Sequence, residues 1–431
     1  MPIAKLARLV AATGVALWAG LASAQPVTVK MWMHEHPPRI AIDKAIIAEF
    51  EKANPDIKIQ YDVISVADYS TKLITAFAAG SGPDLFNNTS TLVTQYFNAR
   101  ILAPVDYAAM GLVDEGALLA KYQGSGFDGI RFQGKLYGVP SELSNWACFA
   151  NNALWQEAGL DPKKDWPKTW EALPGIAEKL TRRDANGVPV RRGFDFNWAI
   201  PGAFWYVPNT MLHQLGANMI DEAAYKATLD TPAGRQVFQY FQDWTGKLRL
   251  GGPQYTDSRT DFLAGKLAAE CSFGVWGVPQ MEAAKISWSV LPVPKFAGGV
   301  SDNGMDEYAF YMMVNARSPS PVQKAAWKFA RFYTDHAGEL FAGAGLFVPR
   351  AEVTDSAAFK ANPAAPFFVA ELKRAKFSPR VVGYAQVLDA ILRGRDKVVQ
   401  GEKVDAVVPV MNEEVNTIMN RERARAATLV K

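Results

Sequence analysis

Three groups of hydrogen-bonding side chains follow apolar segments of the sequence. They are His34, Glu35, His36 and Arg39, then Asn87, Asn88 and Thr89, and finally Glu142. Imidazole, amide and carboxylate groups can bind the hydroxyl groups of a polar ligand. Each side chain taken alone is better explained as a loop residue in water. Because the first two groups follow successive apolar segments, the sequence predicts that they line a ligand cleft.

The stretch Tyr137–Asn152 combines core and polar character. Gly138 and Pro140 interrupt it, so that a strand can change direction there. Trp146 begins an apolar run short enough for a buried strand, yet the carboxylate of Glu142 comes just before it. We interpret the stretch as the hinge and floor of the cleft. The alternative is a loop with a solvated Glu142, and Trp146 either faces the cleft or packs in the core.

Aromatic residues form a second candidate binding surface. Between positions 191 and 220 they are Phe194, Phe196, Trp198, Phe204, Trp205 and Tyr206, and the stretch also contains Pro201, Gly202 and Pro208. A core usually favours branched aliphatic side chains, so this mixture predicts a stacking surface, with an aromatic core helix as the alternative. Further along, Gly274 and Gly277 flank Trp276, which predicts an open ring face.

Two other chemistries are weaker interpretations of the same residues. Glu142 with Asp306 or Glu307 could imitate a secreted glycoside hydrolase, in which two carboxylates stand about 5 to 10 Å apart. His34, Glu35 and His36 could hold a metal, but the remaining histidines, His213 and His336, do not complete a ligand set by their spacing. The sequence has no phosphate-binding loop, metal-spaced cysteine pair or nucleophile elbow. We therefore predict no catalytic residue, no metal and no cofactor.

Alternating strands and helices must position these side chains. Strands are predicted over Val27–Met33, Ile57–Ile64 and Asp84–Phe86, and helices over Ile40–Phe50 and Tyr69–Ala79. Pro37 and Pro38 are expected to end the first strand and begin a polar loop. This order predicts a parallel sheet flanked by helices, in which ligands bind beyond the carboxyl ends of the strands.

The N-terminus has the pattern of a secretory signal peptide. Lys5 and Arg8 precede the uncharged run Leu9–Leu21, and small residues follow, with cleavage predicted after Ala24. The apolar run is shorter than the roughly 20 residues that span a bilayer. Removing the segment leaves 44 of the 46 lysine and arginine residues against 43 acidic ones. An exported, soluble protein in the periplasm that does not bind nucleic acid is therefore expected.

The mature chain of about 400 residues exceeds the comfortable size of one core, so two lobes are predicted. Cys148 and Cys271 are the only cysteines, in a compartment where disulfides form. They either pair or remain two small buried residues, and we favour the unpaired state.

The chain resembles family 1 extracellular solute-binding proteins, the receptors of ATP-binding-cassette importers, and especially their maltose- and sugar-binding group. The resembling segments, spread over residues 27–418, are AEFEKANPDIKI at 48–59, GSGPDLF at 80–86, LYGVPSE at 136–142, ANNALWQEAGLDP at 150–162, KTWEAL at 168–173, FLAGKLAAE at 262–270, LPVPK at 291–295, AAWKFARFYT at 325–334 and FVPR at 347–350. Each segment is weakly specific alone, whereas their order and spacing together are strongly specific.

The resemblance implies an α/β fold with two lobes, each a mainly parallel sheet flanked by helices, that close on a ligand about a hinge. One lobe would comprise residues 25–139 and 309–346, and the other residues 140–308 and 347–431. The chain would cross between them near Gly138–Leu143, Asp306–Tyr308 and Leu346–Arg350.

The resemblance also assigns roles to the candidate residues. Glu142 takes the place of a carboxylate that bonds sugar hydroxyls, and Trp205, Tyr206 and Trp276 take the places of stacking aromatics, with Tyr384 as a further candidate. The predicted ligand-binding set is Glu142, Asn87, Asn88, His36 and Asp306, with Trp276, Trp205, Tyr206 and Trp146 for stacking and Arg350 as a cation. Arg39 is a second cationic candidate, which we favour as a salt-bridged surface residue.

The implied partners are a small-molecule solute, expected to be a sugar, and an inner-membrane ABC permease, with the receptor itself a monomer. A sugar acid or a glycerol-phosphate-like polyol is the alternative solute, and it becomes credible if an arginine points into the cleft. A secreted glycoside hydrolase is the remote alternative.

Overall fold

The structure is a computed structural model that describes residues 26–122, 126–255 and 257–428. The predicted signal segment lies outside these residues. Within them, no helix is both long and apolar enough to cross a membrane.

The strands of the described residues fall into two main sheets and three short hairpins. In chain order they are β1 Val27–His34, β2 Ile57–Ile64, β3 Leu85–Thr89, β4 Arg131–Phe132, β5 Lys135–Leu136, β6 Val139–Asn145, β7 Ala147–Asn151, β8 Arg182–Arg183, β9 Pro189–Arg191, β10 Ile220–Asp221, β11 Lys226–Ala227, β12 Ala269–Phe273, β13 Trp288–Leu291 and β14 Glu307–Val314.

Helices cover both main sheets. They are α1 Pro37–Ala53, α2 Val66–Ala78, α3 Ser90–Asn98, α4 Glu115–Leu119, α5 Asn152–Glu157, α6 Pro162–Asp165, α7 Leu173–Leu180, α8 Pro201–Gln214, α9 Pro232–Gln242, α10 Ser258–Leu263, α11 Val278–Ala283, α12 Ser320–Asp335, α13 Ala337–Ala344, α14 Ala351–Thr354, α15 Ala357–Ala361, α16 Ala365–Leu372, α17 Tyr384–Val399 and α18 Val404–Thr428. Short 3₁₀ turns cover Asp128–Ile130 and Val275–Gly277, and a π-helical turn covers Asp243–Lys247.

The first sheet has five strands in the order β2-β1-β3-β14-β6. β1 pairs in parallel with β2 and β3, as the alternation of strands and helices predicts. β14 comes from late in the chain and is antiparallel to both β3 and β6, which it separates. The sheet is therefore assembled from three distant parts of the sequence.

The second sheet has the order β12-β7-β13, and both strand pairs are antiparallel. The expectation of a mainly parallel sheet is therefore wrong for this sheet. Cys148 on β7 and Cys271 on β12 form a disulfide across adjacent strands. The favoured expectation of two unpaired cysteines is wrong. Spacing alone gave no information on the strand pairing that brings these residues together, so the sequence left the pairing open.

Three apolar clusters form the cores, and the chain passes between them at three places. Leu143, Ala309 and Leu346 belong to the core of the first sheet. Trp146 and Tyr308 belong to a core of the second lobe, and Phe347 belongs to the other core of that lobe. We propose that the lobes divide at these places, close to the predicted bounds. Because β6 stays in the first sheet as far as Asn145, we propose that the first crossing lies at Trp146 rather than at Gly138–Leu143.

Two local expectations need correction. Pro37 and Pro38 do not begin a loop but occupy the first turn of α1, where a missing amide hydrogen costs nothing. Asn87, Asn88 and Thr89 are not beyond the end of β3 but are its last three residues, because β14 extends the ladder through them.

Candidate functional site

The crossing segments bring aromatic rings together where the two lobes meet. Trp276, in the 3₁₀ turn after β12, packs against all three apolar cores and remains partly exposed. Its neighbour Gly274 permits this position, because a Cβ there would lie 2.5 Å from Trp276 Nε1 and 2.7 Å from the Tyr308 hydroxyl. Trp276 is therefore placed to contact a ligand that touches both lobes.

Trp146, at the crossing between β6 and β7, stands at the centre of this aromatic group. Its ring is stacked on Tyr206 with centroids 4.1 Å apart, and Tyr308 lies at 4.5 Å in a tilted arrangement. Trp276 meets it edge-on at 6.2 Å. Tyr206 and Trp276 are the partly exposed members, so they offer the ring surface that a ligand could reach.

Glu142 lies beside this group on β6 and is 4% exposed. The hydroxyl of Tyr308 donates a hydrogen bond of 2.6 Å to Glu142 Oε1. Burial raises the pKa of Glu142 to about 7, although the Tyr308 bond and the positive charge of Arg39 act against the shift. The interpretation as a solvated loop residue is wrong, because Glu142 is a buried residue of a strand.

Asp306 is a second buried carboxyl at the crossings. Asn209 Nδ2 lies 3.0 Å and 2.8 Å from its two oxygens, and the Ser378 hydroxyl donates to Oδ2. Burial raises the pKa of Asp306 to about 7 against the effect of these bonds. The side chain thus joins α8 and the segment before α17 to the start of β14.

The two asparagines of β3 face opposite sides of the sheet, as successive strand residues must. Asn87 meets the His34 ring, with Nδ2 3.0 Å from His34 Nδ1, and that ring stacks on Phe310 at 4.4 Å. Asn88 instead donates to the Tyr96 hydroxyl at 2.8 Å inside the first lobe. Of the two asparagines, Asn87 therefore lies on the side of the first sheet that also carries the partly exposed rings of His34 on β1 and Phe310 on β14.

His36 connects the first lobe to Trp276. Its Nε2 is 2.9 Å from the carbonyl oxygen of Ala344, and its ring meets Trp276 edge-on at 6.1 Å. Burial lowers the pKa of His36 to about 4, so the ring is neutral near pH 7 and donates Nε2–H to that carbonyl.

Both predicted cations are used inside the protein. Arg350 donates to the Thr334 carbonyl at 2.7 Å and to Asp335 at 2.8 Å, and it is 2% exposed. Arg39 is also 2% exposed and pairs with Asp43 at 3.1 Å, so the expectation that it is a surface residue is wrong.

Most of the aromatic stretch between 191 and 220 packs in the second lobe. Phe194, Phe196, Trp198, Phe204 and Trp205 are core residues, and Tyr384 joins the same core. The core interpretation therefore holds for them, and Tyr206 is the aromatic residue of this stretch that reaches the ring group described above. Within Gly202–Gln214 of α8, Gly202 and Tyr206 are partly exposed and the other residues are buried.

Several residues at the junction were not expected from the sequence. They are Arg259, Tyr308 and Phe310. Tyr308 and Phe310 are two residues apart on β14 and therefore project from the same face of the sheet, and this spacing would have been a usable signal. Asn145 is fully buried, and among the described residues neither its Nδ2 nor its Oδ1 has a hydrogen-bond partner.

The described residues bring no three His, Cys, Asp or Glu side chains together in a way that could hold a metal. Two surface cavities of about 380 Å³ and 450 Å³ lie elsewhere, beside residues 245–254 with 396–400 and beside residues 215–233. Neither cavity is lined by a predicted site residue.

Comparison with known proteins gives three consistent findings. Residues 36–339 match the family model described as bacterial extracellular solute-binding protein. A maltotriose-binding protein of Pyrococcus abyssi is 21% identical, with 90% of this chain and 81% of the relative covered.

Similar solved structures have two lobes. An ABC substrate-binding protein of Listeria monocytogenes in complex with cycloalternan is 22% identical, with a TM-score of 0.77, and covers 92% of this chain and 99% of its own. The maltose/maltodextrin-binding domain of Bdellovibrio bacteriovorus bound to maltotriose is 18% identical, with a TM-score of 0.78, and covers 92% and 100%. These likenesses establish the two-lobe α/β fold.

Proposed function

Because the chain belongs to the bacterial extracellular solute-binding protein family, we propose that it is a receptor that captures a carbohydrate between its lobes and delivers it to an ABC import permease. The relatives named above that bind oligosaccharides support the ligand class. The observation that carries the proposal is the ring group of Trp146, Tyr206 and Trp276 beside the buried carboxyl of Glu142.

This arrangement suits the two kinds of surface that a sugar presents. The apolar C–H face of a sugar ring stacks on an aromatic ring, and Trp276 and Tyr206 have partly exposed rings. The hydroxyl groups need donors and acceptors, which Glu142, Asn87 and His36 can supply after rearranging their internal bonds. Closure of the lobes removes water and strengthens these hydrogen bonds.

The remaining sequence predictions form part of the same proposal. The protein is exported to the periplasm after cleavage near Ala24, acts as a monomer and does not catalyse a reaction. Of the predicted site, Glu142, Asn87, His36, Trp146, Tyr206 and Trp276 lie at or beside the junction. Asn88, Trp205 and Arg350 have internal contacts that favour structural roles, and Asp306 is proposed to brace the crossing segments.

A thermal-shift screen over sugars, sugar acids, polyols, amino acids and peptides tests the ligand class. A ligand that binds the folded state at 100 times its Kd stabilises it by about 2.7 kcal/mol, which is a shift of several degrees. We expect a carbohydrate to raise the Tm. The proposal is wrong if amino acids or peptides raise it and no carbohydrate or polyol does.

An assay on aryl glycosides tests the absence of catalysis. We expect no turnover by the wild-type protein. Hydrolysis that disappears in Glu142→Gln, while the variant keeps the wild-type Tm, would instead support the hydrolase interpretation.

A further inference from the structure

Arg259 lies over two of the aromatic rings at the junction. Its guanidinium carbon is 5.1 Å from the centroid of the Trp276 ring and 5.5 Å from that of Trp146. The Nε–H donates to the carbonyl oxygen of Ser272 at 2.8 Å, which fixes the side chain from the β12 side. A guanidinium held against two indoles keeps one orientation and is more weakly hydrated than an ammonium group.

The partly exposed Arg259 has no carboxylate paired with it, unlike the buried arginines of the described residues. Those arginines are Arg39, Arg192, Arg350 and Arg395, and each has a carboxylate oxygen within 3.1 Å. Arg259 forms no such ion pair with the described residues, within 4.0 Å. The charge of Arg259 acts electrostatically on Glu270. Glu270 Oε2, however, accepts hydrogen bonds from Ser258 and Ser272 and not from Arg259.

The terminal amino groups of Arg259 are also available. Within the part of the chain that the structure describes, its hydrogen bonds come from Nε alone, and the side chain is partly exposed. A guanidinium with two unused terminal amino groups matches a carboxylate or a phosphate, which accept two parallel N–H bonds. Neutral hydroxyl groups accept from the same donors less strongly.

We propose that Arg259 binds an anionic group of the solute, so that this receptor selects a carbohydrate that carries a carboxylate or a phosphate over its neutral counterpart. This inference rests on the proposed function and narrows its ligand class. Trp276 and Tyr206 stack on the sugar ring, while Arg259 pairs with the anionic substituent at its edge. Arg259 would therefore be the cation in the cleft, a role for which the sequence suggested Arg350 or Arg39.

The nearby carboxyls are compatible with such a ligand. Burial raises the pKa of Glu142, Glu270 and Asp306 to about 7. These groups are therefore less ionised near neutral pH than exposed carboxyls, which reduces their repulsion of an anion. Lys376 and Arg380 lie on the segment before α17 and add positive charge near Asp306 and Glu307.

Calorimetric titration with matched sugars tests the proposal. The neutral probes are glucose, galactose, tagatose and maltotriose, the carboxylates are glucuronate, galacturonate and gluconate, and the phosphates are glucose 6-phosphate and glycerol 3-phosphate. The variants are Arg259→Gln, which removes the charge, and Arg259→Lys, which keeps the charge but loses the planar fork. Arg317→Gln is the control, because its terminal amino groups donate to the carbonyls of Phe77 and Ala99 and to no other group among the described residues.

The wild-type protein should bind a carboxylate or phosphate probe more tightly than its neutral counterpart, with an affinity that falls as salt rises. Arg259→Gln should weaken that binding about 30-fold or more, Arg259→Lys by an intermediate factor, and Arg317→Gln by less than about twofold. Carboxylates and phosphates are separate arms, so the titrations also identify which anion is preferred. Melting curves confirm that each variant is folded.

Two results overturn the inference, and they differ in what they leave standing. If a neutral sugar binds at least as tightly as its acid and its phosphate, or if both Arg259 variants keep the anion preference, Arg259 is not the anion-binding residue and the carbohydrate receptor remains. If none of the probes binds, the carbohydrate proposal fails and the anion inference fails with it.

Discussion

Asp43 in the first lobe and Glu270 in the second are both fully buried carboxyls next to an arginine. The Asp43 cluster consists of Arg39, Asp43, Tyr61 and Tyr333, and both Asp43 oxygens accept hydrogen bonds, at 2.8 Å from Tyr333 and 2.5 Å from Tyr61. The Glu270 cluster consists of Ser258, Arg259, Glu270 and Ser272. There Oε1 has no partner among the described residues.

The difference concerns what each arginine is bound to. Arg39 is paired with Asp43 and also donates to the His34 carbonyl, so its charge is used within the fold. Arg259 is oriented by a backbone carbonyl and two indole rings, which position the charge without neutralising it. A polar cluster whose charges are all paired stabilises one conformation of the fold. A cluster with an unpaired charge can still form an ion pair with a ligand.

Removing the carboxylate of the Asp43 cluster gives the largest expected effect. Asp43→Asn leaves Arg39 as a buried charge without a counterion, so we expect a loss of about 3 to 5 kcal/mol in the free energy of unfolding. Urea denaturation measures it. The control is Glu414→Gln, which removes an exposed pair with Arg393 and should change stability by less than about 1 kcal/mol. A small effect of Asp43→Asn would show that the two clusters do not differ in this way.

Removing the carboxylate of the Glu270 cluster, with Glu270→Gln, should change how the stability of the protein depends on pH. Burial raises the pKa of Glu270 to about 7, above the usual 4.5, so the folded protein holds this proton more tightly than the unfolded chain. The resulting stability is fully present below about pH 4.5 and is lost as the pH rises through 7. Between pH 5 and pH 8, the free energy of unfolding should therefore fall by about 2 kcal/mol less in Glu270→Gln than in the wild-type protein.

Urea denaturation at several pH values checks this expectation. Glu142 and Asp306 have similarly raised pKa values and should retain the rest of the decline. Glu414→Gln should leave the profile unchanged. If Glu270→Gln destabilises the protein at pH 8 as much as Asp43→Asn does, the ionised Glu270 is as fully paired as Asp43 and the comparison fails.

Truncating the ring beside Arg259 should affect binding rather than folding. Trp276→Ala removes the partly exposed surface shared by the lobes, and we expect affinity for the carbohydrate found by screening to fall more than about tenfold. The loss in stability should be smaller than that of Asp43→Asn. Trp166→Ala is the control, because this partly exposed ring binds the Pro292 carbonyl away from the junction. Unchanged affinity in Trp276→Ala would remove Trp276 from the site.

Local pattern was sufficient for much of the fold. The period of two in Val27–Met33 and the helical spacing after it predicted the opening strands and helices, since these periods follow from backbone geometry alone. Gly138, Pro140 and the resemblance placed the first crossing at Gly138–Leu143, whereas Glu142 lies on β6, before the crossing that we propose at Trp146. The pair of Arg39 with Asp43, four residues apart on α1, could have been recognised from its spacing.

The other contacts depend on partners that are distant in the sequence. Arg350 looks like a free cation until α12 brings Thr334 and Asp335 to it. Arg259 has no local feature that indicates Trp146 and Trp276 as its neighbours. Asn87 and Asn88 point to opposite sides of the sheet because both belong to β3. They belong to β3 because β14, which comes late in the chain, pairs with them. Such information lies in the tertiary fold and not in any window of residues.

The insertion of β14 between β3 and β6 has a consequence for the order of events in synthesis. A ribosome makes β1, β2, β3 and β6 first, but the sheet stays divided until Glu307–Val314 has emerged. The contacts that complete it join residues far apart in the chain, and such contacts form slowly because a long loop must close first. The first sheet therefore reaches its native strand order only after most of the chain has been made.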